Sequence, residues 1–232
     1  MHTHVALAYH GVGPADDRRD PSRLVISPEH LDAQLRLLRR LGYRFLTAEG
    51  LLDELASGGP RGRTAVLTFD DGFRGWLEHA VPVLRRHGAA ATFYLCPGWW
   101  GRHHPQVQGE PGRLVTREDA ARLLDMGMEL GSHSMVHADL RTLDDGALAA
   151  DLREAREEVE RVSGKRCRTF AYPFGLFGER EMRAAEAAGH ELAFDWLPGA
   201  RRRFGWPRLP APPRHGAIRL GLKLLGLRRP GR

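Results

Sequence analysis

The chain has 232 residues, of which 42% are hydrophobic and 28% charged, with a formal net charge of +6 at pH 7. The apolar share is too high for a disordered chain, and a mean hydropathy of −0.42 does not fit a membrane-spanning protein. The length fits a single α/β domain. The sequence does not begin with the basic residues, apolar stretch and cleavage site of a secretory signal peptide, so we expect a cytoplasmic protein.

The first predicted elements alternate between a strand and helices. The apolar run His4–Tyr9 predicts a strand. Ser27 and Pro28 predict the N-cap and first turn of a helix that ends at Gly42. Residues 47–57 predict a shorter second helix.

The rest of the chain continues this alternation. Further strands are predicted over 65–69, 91–95, 128–131, 168–172 and 191–194. The next predicted helix follows the strand over 65–69 and ends at residues 87–88, with a kink at Pro82. Another begins at the capping box of Thr116 and Asp119 and ends at Met126. The last two helices are predicted over 144–163 and 179–188.

Strands that alternate with helices predict parallel pairing with helical crossovers, in an open sheet or a barrel. Functional residues are then expected in the loops at the carboxyl ends of the strands. We find no internal repeat and no long linker, so residues 1–210 are predicted to form one catalytic domain, followed by a basic tail over 211–232.

The basic charge is concentrated at the carboxyl end. Residues 200–232 contain ten Arg and Lys residues and no acid. A solvated tail is the favoured interpretation, and the alternative is a short amphipathic helix. Such a tail could contact an anionic membrane surface or a phosphate-bearing substrate, and we expect no nucleic-acid partner.

The two cysteines do not predict a disulfide framework or a metal site. Cys96 and Cys167 lack the spacing of a CxxC motif. We therefore expect two buried free thiols.

Three polar motifs follow predicted strands. His133 and His137 are four residues apart, a spacing that lets two imidazoles bind one metal ion, although such a pair alone is a weak signal. Asp70 and Asp71 end an apolar strand, where one carboxylate could bind the metal and the other stay free. A solvated surface turn is the alternative for the two acids.

The third motif is the turn over 172–175. A metal would lower the pKa of a water molecule to about 7, and a free carboxylate could take its proton. A backbone N–H of this turn could stabilise the oxyanion. Tyr172 and Phe174 lie in or beside loops, together with Trp99 and Trp196. Flat rings suit stacking on sugars, but packing is the favoured interpretation for any single one of them.

These motifs together resemble the polysaccharide deacetylases of the NodB-homology type, carbohydrate esterase family 4. The resemblance rests on the strings TFDDG at 68–72 and HSxxH at 133–137, and it runs from about Val5 to Arg208. The opening Tyr9-His10 and the FAYPFG string at 170–175 are similar to the branch with poly-N-acetylglucosamine deacetylases.

The resemblance implies a fold and a set of roles. The fold would be a distorted (β/α) barrel of about seven parallel strands. Asp70 would be the general base, and the N–H of Phe174 would face the oxyanion. The metal ligands would be Asp71, His133 and His137. The cofactor would be a divalent metal, with Zn²⁺ as the favoured ion and Co²⁺, Ni²⁺ or Mn²⁺ as alternatives.

The sequence departs from the family pattern in two places. Ala171 stands where many members have an arginine that orients the base, and we hypothesise that Arg208 replaces it. A late Leu-x-Ile-His string, whose histidine acts as general acid, is absent. His10 or His215 could supply the missing acid, and His10 is favoured as a site residue.

The resulting hypothesis is a metal-dependent hydrolase that removes an acetyl group from an N-acetylated polysaccharide, oligosaccharide or glycoconjugate intermediate. Two alternatives remain open at this point. One is a catalytically silent carbohydrate-binding protein with the same fold, and the other is a hydrolase of a non-sugar amide or ester.

Overall fold

The structure is a computed structural model that describes residues 3–14, 17–196, 201–211 and 216–225. Eleven strands are found in these ranges: β1 (His4–Tyr9), β2 (Gly11–Val12), β3 (Val25–Ile26), β4 (Tyr43–Leu46), β5 (Arg63–Phe69), β6 (Thr92–Leu95), β7 (Glu129–Ser132), β8 (Thr169–Ala171), β9 (Leu192–Asp195), β10 (Phe204–Pro207) and β11 (Leu209–Pro210).

The α-helices of the same ranges are α1 (Pro28–Arg40), α2 (Ala48–Ala56), α3 (Val81–Arg86), α4 (Arg117–Asp125), α5 (Asp145–Ser163), α6 (Glu179–Ala187) and α7 (Gly216–Leu224). Several of them begin where a side chain caps free backbone N–H groups. The Ser27 hydroxyl accepts from the N–H of His30, and Thr116 and Asp119 form the predicted capping box.

The larger sheet is all parallel and nearly closes into a barrel. Its strands follow the order β10-β9-β8-β7-β6-β5-β1-β11, and β4 pairs with the first half of β5. The two edge strands, β10 and β11, are consecutive in the chain and are separated only by Arg208. The predicted distorted (β/α) barrel is therefore confirmed.

Nine strands form this sheet, against about seven expected. The additional strands are short. Tyr43–Leu46 lies between two helices and has no alternating pattern, and the sequence interpretation ended with the strand near residue 194, before Phe204–Pro207 and Leu209–Pro210. Local sequence gives little signal for strands of two to four residues.

Both faces of the central strands are buried. In β5, Leu67 packs in the cluster between sheet and helices, whereas Val66 packs in a second cluster with Tyr94 and Phe194 inside the barrel. Side chains alternate along a strand, so the inward row continues from Val66 through Thr68 to Asp70. Asp70, the residue after β5, is therefore placed at the open end of the barrel.

Two further sequence predictions have clear outcomes. Both cysteines are free and buried. Where the sequence predicted a helix kinked at Pro82, the structure has a five-residue π-helix over Trp76–Ala80 that leads into α3, with the proline in the first turn of that helix. A proline there leaves no interior backbone bond unmade.

The segment interpreted as a separate basic tail contributes a helix to the packing. Leu220 and Leu224 of α7 are fully buried, and Leu37 of α1 lies beside Gly221. Within the described part of the chain, no helix combines the length and the apolar character that a bilayer crossing requires.

A mostly buried acid in β7 gives a testable stability prediction. Glu129 accepts from the N–H of Glu49 and from the Thr92 hydroxyl. Burial raises its pKa to about 7. Because the pKa of Glu129 is higher in the folded state than in the unfolded state, its ionisation opposes folding. The resulting loss in the free energy of unfolding grows between about pH 4.5 and pH 7 and reaches its full size above pH 7.

We therefore expect Glu129→Gln, which mimics the protonated acid, to gain stability relative to wild type as the pH rises. The free energy of unfolding in urea should favour the variant by roughly 1 to 2 kcal/mol more at pH 8 than at pH 5, after allowance for partial solvent contact. A difference that does not change with pH would contradict this assignment.

Candidate active site

The site begins at the carboxyl end of β5, where two neighbouring aspartates are buried. The N–H of Asp70 continues the sheet ladder by donating to the Tyr9 carbonyl at 2.9 Å. Asp71 has left the strand and adopts a φ of 79°, in the left-handed region that non-glycine residues rarely occupy. This sharp turn separates the two carboxylates, as predicted for neighbouring residues at a strand end.

Asp70 is paired with Arg208. The Nη1 of Arg208 donates to Asp70 Oδ1 at 2.7 Å and to Thr68 Oγ1 at 3.0 Å, and its Nε donates to the Asp195 carbonyl. Burial opposes ionisation of Asp70, but the charges of Arg208 and His133 outweigh it and lower the pKa of this carboxyl. Asp70 is thus a carboxylate at neutral pH.

His133 and His137 follow β7 on a tight turn rather than on a helix. Ser134 has a φ of 64° and His137 a φ of 54°, so both lie in the left-handed region. The two imidazoles come together with ring centroids 4.8 Å apart. Backbone strain of this kind often occurs at functional sites, where the surrounding packing maintains it.

Both imidazoles face the same oxygen of Asp71. Its Oδ1 is 3.4 Å from Nε2 of His133 and 3.3 Å from Nε2 of His137, and it is buried with no hydrogen-bond partner among the residues that the structure describes. The ligand atoms of these residues all lie within 4.8 Å of one another. A buried carboxylate oxygen in this position needs a cation beside it.

The ring nitrogens of the two histidines are oriented for a metal between them. Nδ1 of His133 lies 2.7 Å from the Ala171 carbonyl, so it carries a proton and Nε2 faces Asp71. Burial opposes protonation of His133, but the carboxylates of Asp71 and Asp70 outweigh it and raise the pKa of this imidazole. Burial lowers the pKa of His137 to about 4, which keeps its imidazole neutral. Asp71 Oδ1 lies 3.4 and 3.3 Å from the two Nε2 atoms, a spacing at which these atoms could share one zinc ion with bonds of roughly 2.0 to 2.1 Å. The residues therefore fit a divalent metal.

The turn over 172–175 offers one backbone donor to the site. The N–H of Tyr172 donates to the Phe194 carbonyl and that of Gly175 to the Tyr172 carbonyl, and Pro173 has no N–H. Of these four residues, Phe174 is therefore the one whose N–H is the candidate oxyanion donor. Phe174 has a φ of 58°, and its ring, 52% exposed, meets His137 edge-on at 4.3 Å.

The Tyr172 ring packs in the core, which is the interpretation that the sequence favoured for any single ring of this set. It is 1% exposed and lies 4.1 Å from Phe177 in a parallel stack, and its hydroxyl donates to the Phe204 carbonyl. A tyrosine with a buried hydroxyl partner belongs to the core. Only the backbone around Tyr172 can take part in the site.

A cavity of about 350 Å³ opens over these groups. Its wall combines the polar residues with aromatic rings, as sites for small molecules do. Trp99 is stacked on His137 with centroids 5.5 Å apart, and Trp196 meets His10 edge-on at 4.9 Å. Leu24 and Gln106 also line the cavity.

His10 lies at the edge of the same cavity. Its Nε2 is 3.9 Å from Asp71 Oδ2, and burial lowers its pKa. The geometry brings this sequence candidate to the site without assigning it a role. His215, the other candidate for the missing acid, is outside the described residues.

The sequence interpretation missed His104. This residue follows β6 in a loop and is 6% exposed, and its Nε2 is 3.3 Å from Asp71 Oδ2. The loop contains several glycines and prolines and no periodic pattern, so nothing in its sequence distinguishes this histidine from its exposed neighbour His103.

Comparison with known proteins agrees with this geometry. The family model described as polysaccharide deacetylase matches residues 57–193, which include both aspartates and both metal-facing histidines. The chain is 24% identical over 198 residues to the putative polysaccharide deacetylase YxkH of Bacillus subtilis, covering 85% of this chain and 66% of that protein.

Two other similarities cover more of the partner protein. The poly-beta-1,6-N-acetyl-D-glucosamine N-deacetylase of Staphylococcus aureus is 21% identical over 209 residues, or 82% of this chain and 71% of that protein. The solved structure of the Streptococcus pyogenes deacetylase PplD in complex with acetate superposes with a TM-score of 0.81 at 20% identity, covering 97% and 98% of the two chains. Among the first three curated relatives, the chain spans between 28% and 66% of their lengths.

The metal assignment predicts the effect of removing one imidazole. His133→Ala should weaken Zn²⁺ binding by more than about 100-fold. Mutating a residue that only hydrogen-bonds to a metal ligand lowers metal affinity by about 10- to 100-fold, and the loss of a ligand itself should lower it further. Competition with a chromogenic chelator measures this affinity, and His103→Ala, at an exposed neighbouring loop position, is the control. Unchanged affinity in His133→Ala would exclude the site.

Proposed function

Because the chain belongs to the polysaccharide deacetylase family, we propose that it is a metal-dependent hydrolase that removes the acetyl group from an N-acetylated sugar. The observation that carries this proposal is that Asp70 and Asp71 have separate partners at one cavity. Arg208 holds Asp70 as a free carboxylate, and the imidazoles surround Asp71. One acid is available for proton transfer and the other for a metal.

Asp71, His133 and His137 would hold the metal, with Zn²⁺ as the proposed ion because the donor set is nitrogen and carboxylate oxygen. When bound, the metal would acidify a water molecule and polarise the acetyl carbonyl. Asp70 would accept the proton of the attacking water, because it is ionised and faces the same cavity.

Two other groups complete the proposed reaction. The N–H of Phe174 would donate to the carbonyl oxygen as negative charge develops on it. His10 lines the cavity and has a lowered pKa, so as a neutral imidazole it would act as a relay: one ring nitrogen would accept the proton that Asp70 has taken up, while the other would release its own proton to the departing amine. The rings of Trp99, Trp196 and Phe174 would contact the sugar face.

The named relatives support an N-acetylhexosamine substrate. One similar protein is named for poly-beta-1,6-N-acetyl-D-glucosamine and another for the N-acetylmuramic acid of peptidoglycan. We therefore propose incubation of the Zn²⁺-loaded chain with N-acetylglucosamine oligomers and detection of free amine and acetate. Metal binding with sugar binding but no acetate would instead indicate a silent carbohydrate-binding protein, and acetate only from non-sugar esters or amides would indicate a different hydrolase.

Replacement of the proposed base tests the mechanism. Asp70→Asn should keep the metal but lower turnover by about two to four orders of magnitude, the usual contribution of a general base. Acetate release and Zn²⁺ content should be measured on the same sample. Asp125→Asn, at an exposed helix end, is the matched control. Normal turnover in Asp70→Asn would refute the base assignment.

The role of Arg208 predicts a change in pH dependence. Its charge lowers the pKa of Asp70, so Arg208→Met should raise that pKa and move the acidic limb of the kcat/KM profile upward by about one pH unit or more. Arg202→Met, which removes an exposed arginine six positions away in the chain, should leave the acidic limb of the kcat/KM profile at its wild-type pH. A limb that stays unchanged in Arg208→Met would exclude this role.

We propose separately that α7 contacts an anionic membrane surface. Ile218, Leu222 and Leu225 of this segment are exposed, and Arg219 lies beside them. An apolar stripe with basic neighbours is typical of interfacial helices. The double variant Ile218→Ser and Leu222→Ser should reduce co-sedimentation with phosphatidylserine vesicles. Equal binding of wild type and variant, or none by the wild type, would refute the proposal.

A further inference from the structure

The loop after β6 brings a third imidazole to Asp71, on the oxygen that the metal-facing histidines do not approach. His104 Nε2 is 3.3 Å from Oδ2, whereas His133 and His137 face Oδ1. The side chains of His104 and Asp71 are 4% and 3% exposed. The two oxygens of one buried carboxylate therefore have different surroundings.

The proton of His104 can be located from its other nitrogen. The N–H of Gln106 donates to Nδ1 of His104 at 3.2 Å, so Nδ1 is an acceptor. A neutral imidazole has one acceptor nitrogen and one N–H, which places the proton on Nε2, facing Asp71 Oδ2. In His133, by contrast, Nδ1 is a donor, to the Ala171 carbonyl.

The orientation of the His104 ring is fixed by its surroundings. Its backbone N–H donates to the Gly112 carbonyl at 2.7 Å, within a short antiparallel pairing of the loop. Its ring is stacked on Phe73 with centroids 4.9 Å apart, and Trp99 meets it edge-on at 5.7 Å. A donor held this rigidly loses little further freedom on hydrogen bonding.

We propose that His104 is a positioning residue for the metal centre. Its Nε2–H holds Oδ2 of Asp71, so that the carboxylate presents Oδ1 between His133 and His137. The inference rests on the proposed function, because it assumes a metal at that position. A hydrogen-bond partner on the second oxygen fixes the orientation of a ligating carboxylate and raises the affinity of the site.

His104 does not fit the role of a further ligand. A lone pair on Nε2 would require the proton on Nδ1, and Nδ1 would then face the N–H of Gln106, donor against donor. His104 thus acts through Asp71.

Two substitutions at position 104 separate the hydrogen bond from packing. His104→Phe keeps an aromatic ring between Phe73 and Trp99 but removes the donor, whereas His104→Gln offers an amide N–H near the position of Nε2. His103→Phe, at the exposed neighbouring position, controls for a general effect on the loop. Thermal unfolding of each metal-free variant checks the fold.

The readouts are Zn²⁺ affinity, by chelator competition, and the visible absorption spectrum of the Co²⁺-loaded protein, which reports the ligand arrangement. His104→Phe should lose 10- to 100-fold in affinity and change the Co²⁺ spectrum. His104→Gln should restore both to near the wild-type values, and His103→Phe should match wild type.

Three results would overturn the inference. Unchanged affinity and spectrum in His104→Phe would show that the hydrogen bond does not position Asp71. Equal losses in His104→Phe and His104→Gln would show that the imidazole itself is required, as for a ligand. A wild-type chain that binds no divalent metal would refute the proposed function and this inference together, whereas the first two results leave the proposed function intact.

Discussion

Two adjacent carboxylates are buried at the end of one strand, and each requires its own positive partner. Asp70 and Asp71 are 1% and 3% exposed, and a buried charge without compensation would strongly oppose folding. Arg208 compensates Asp70 through a direct hydrogen bond. Asp71 instead faces the three imidazoles of His104, His133 and His137, and two of these converge with its Oδ1 on a position suited to a metal ion.

The fold meets this requirement by bringing loops from different strands to one end of the barrel. All strands of the large sheet are parallel, so their carboxyl ends open on the same side. Asp71, Ser134, His137 and Phe174 all adopt left-handed backbone conformations there. Three of these residues, Asp71, His137 and Phe174, line the cavity, so the unusual backbone conformations are concentrated where the candidate site is built.

Local sequence was informative where periodicity or capping was strong. The helix after Ser27 and the strand before Asp70 follow from such patterns, and the aspartates and the histidine pair could be grouped because parallel strands end on one side. The contact of Arg208 with Asp70 could only be hypothesised, since it joins residues 138 positions apart. His104 gave no signal, because its position depends on an irregular loop whose path is set by tertiary contacts.

The seam of the barrel and the charge balance of the site depend on the same residue. Arg208 is the single residue between the two edge strands, and its side chain is enclosed by Tyr94, Phe194 and Trp196 while it binds Asp70. Separation of those edges would withdraw the guanidinium and leave a carboxylate stranded in a poorly polarisable interior, at a cost of about 3 to 5 kcal/mol. The ion pair of Asp70 with Arg208 therefore ties the end of β5 to the seam, so that electrostatics opposes separation of two edge strands that do not pair with each other.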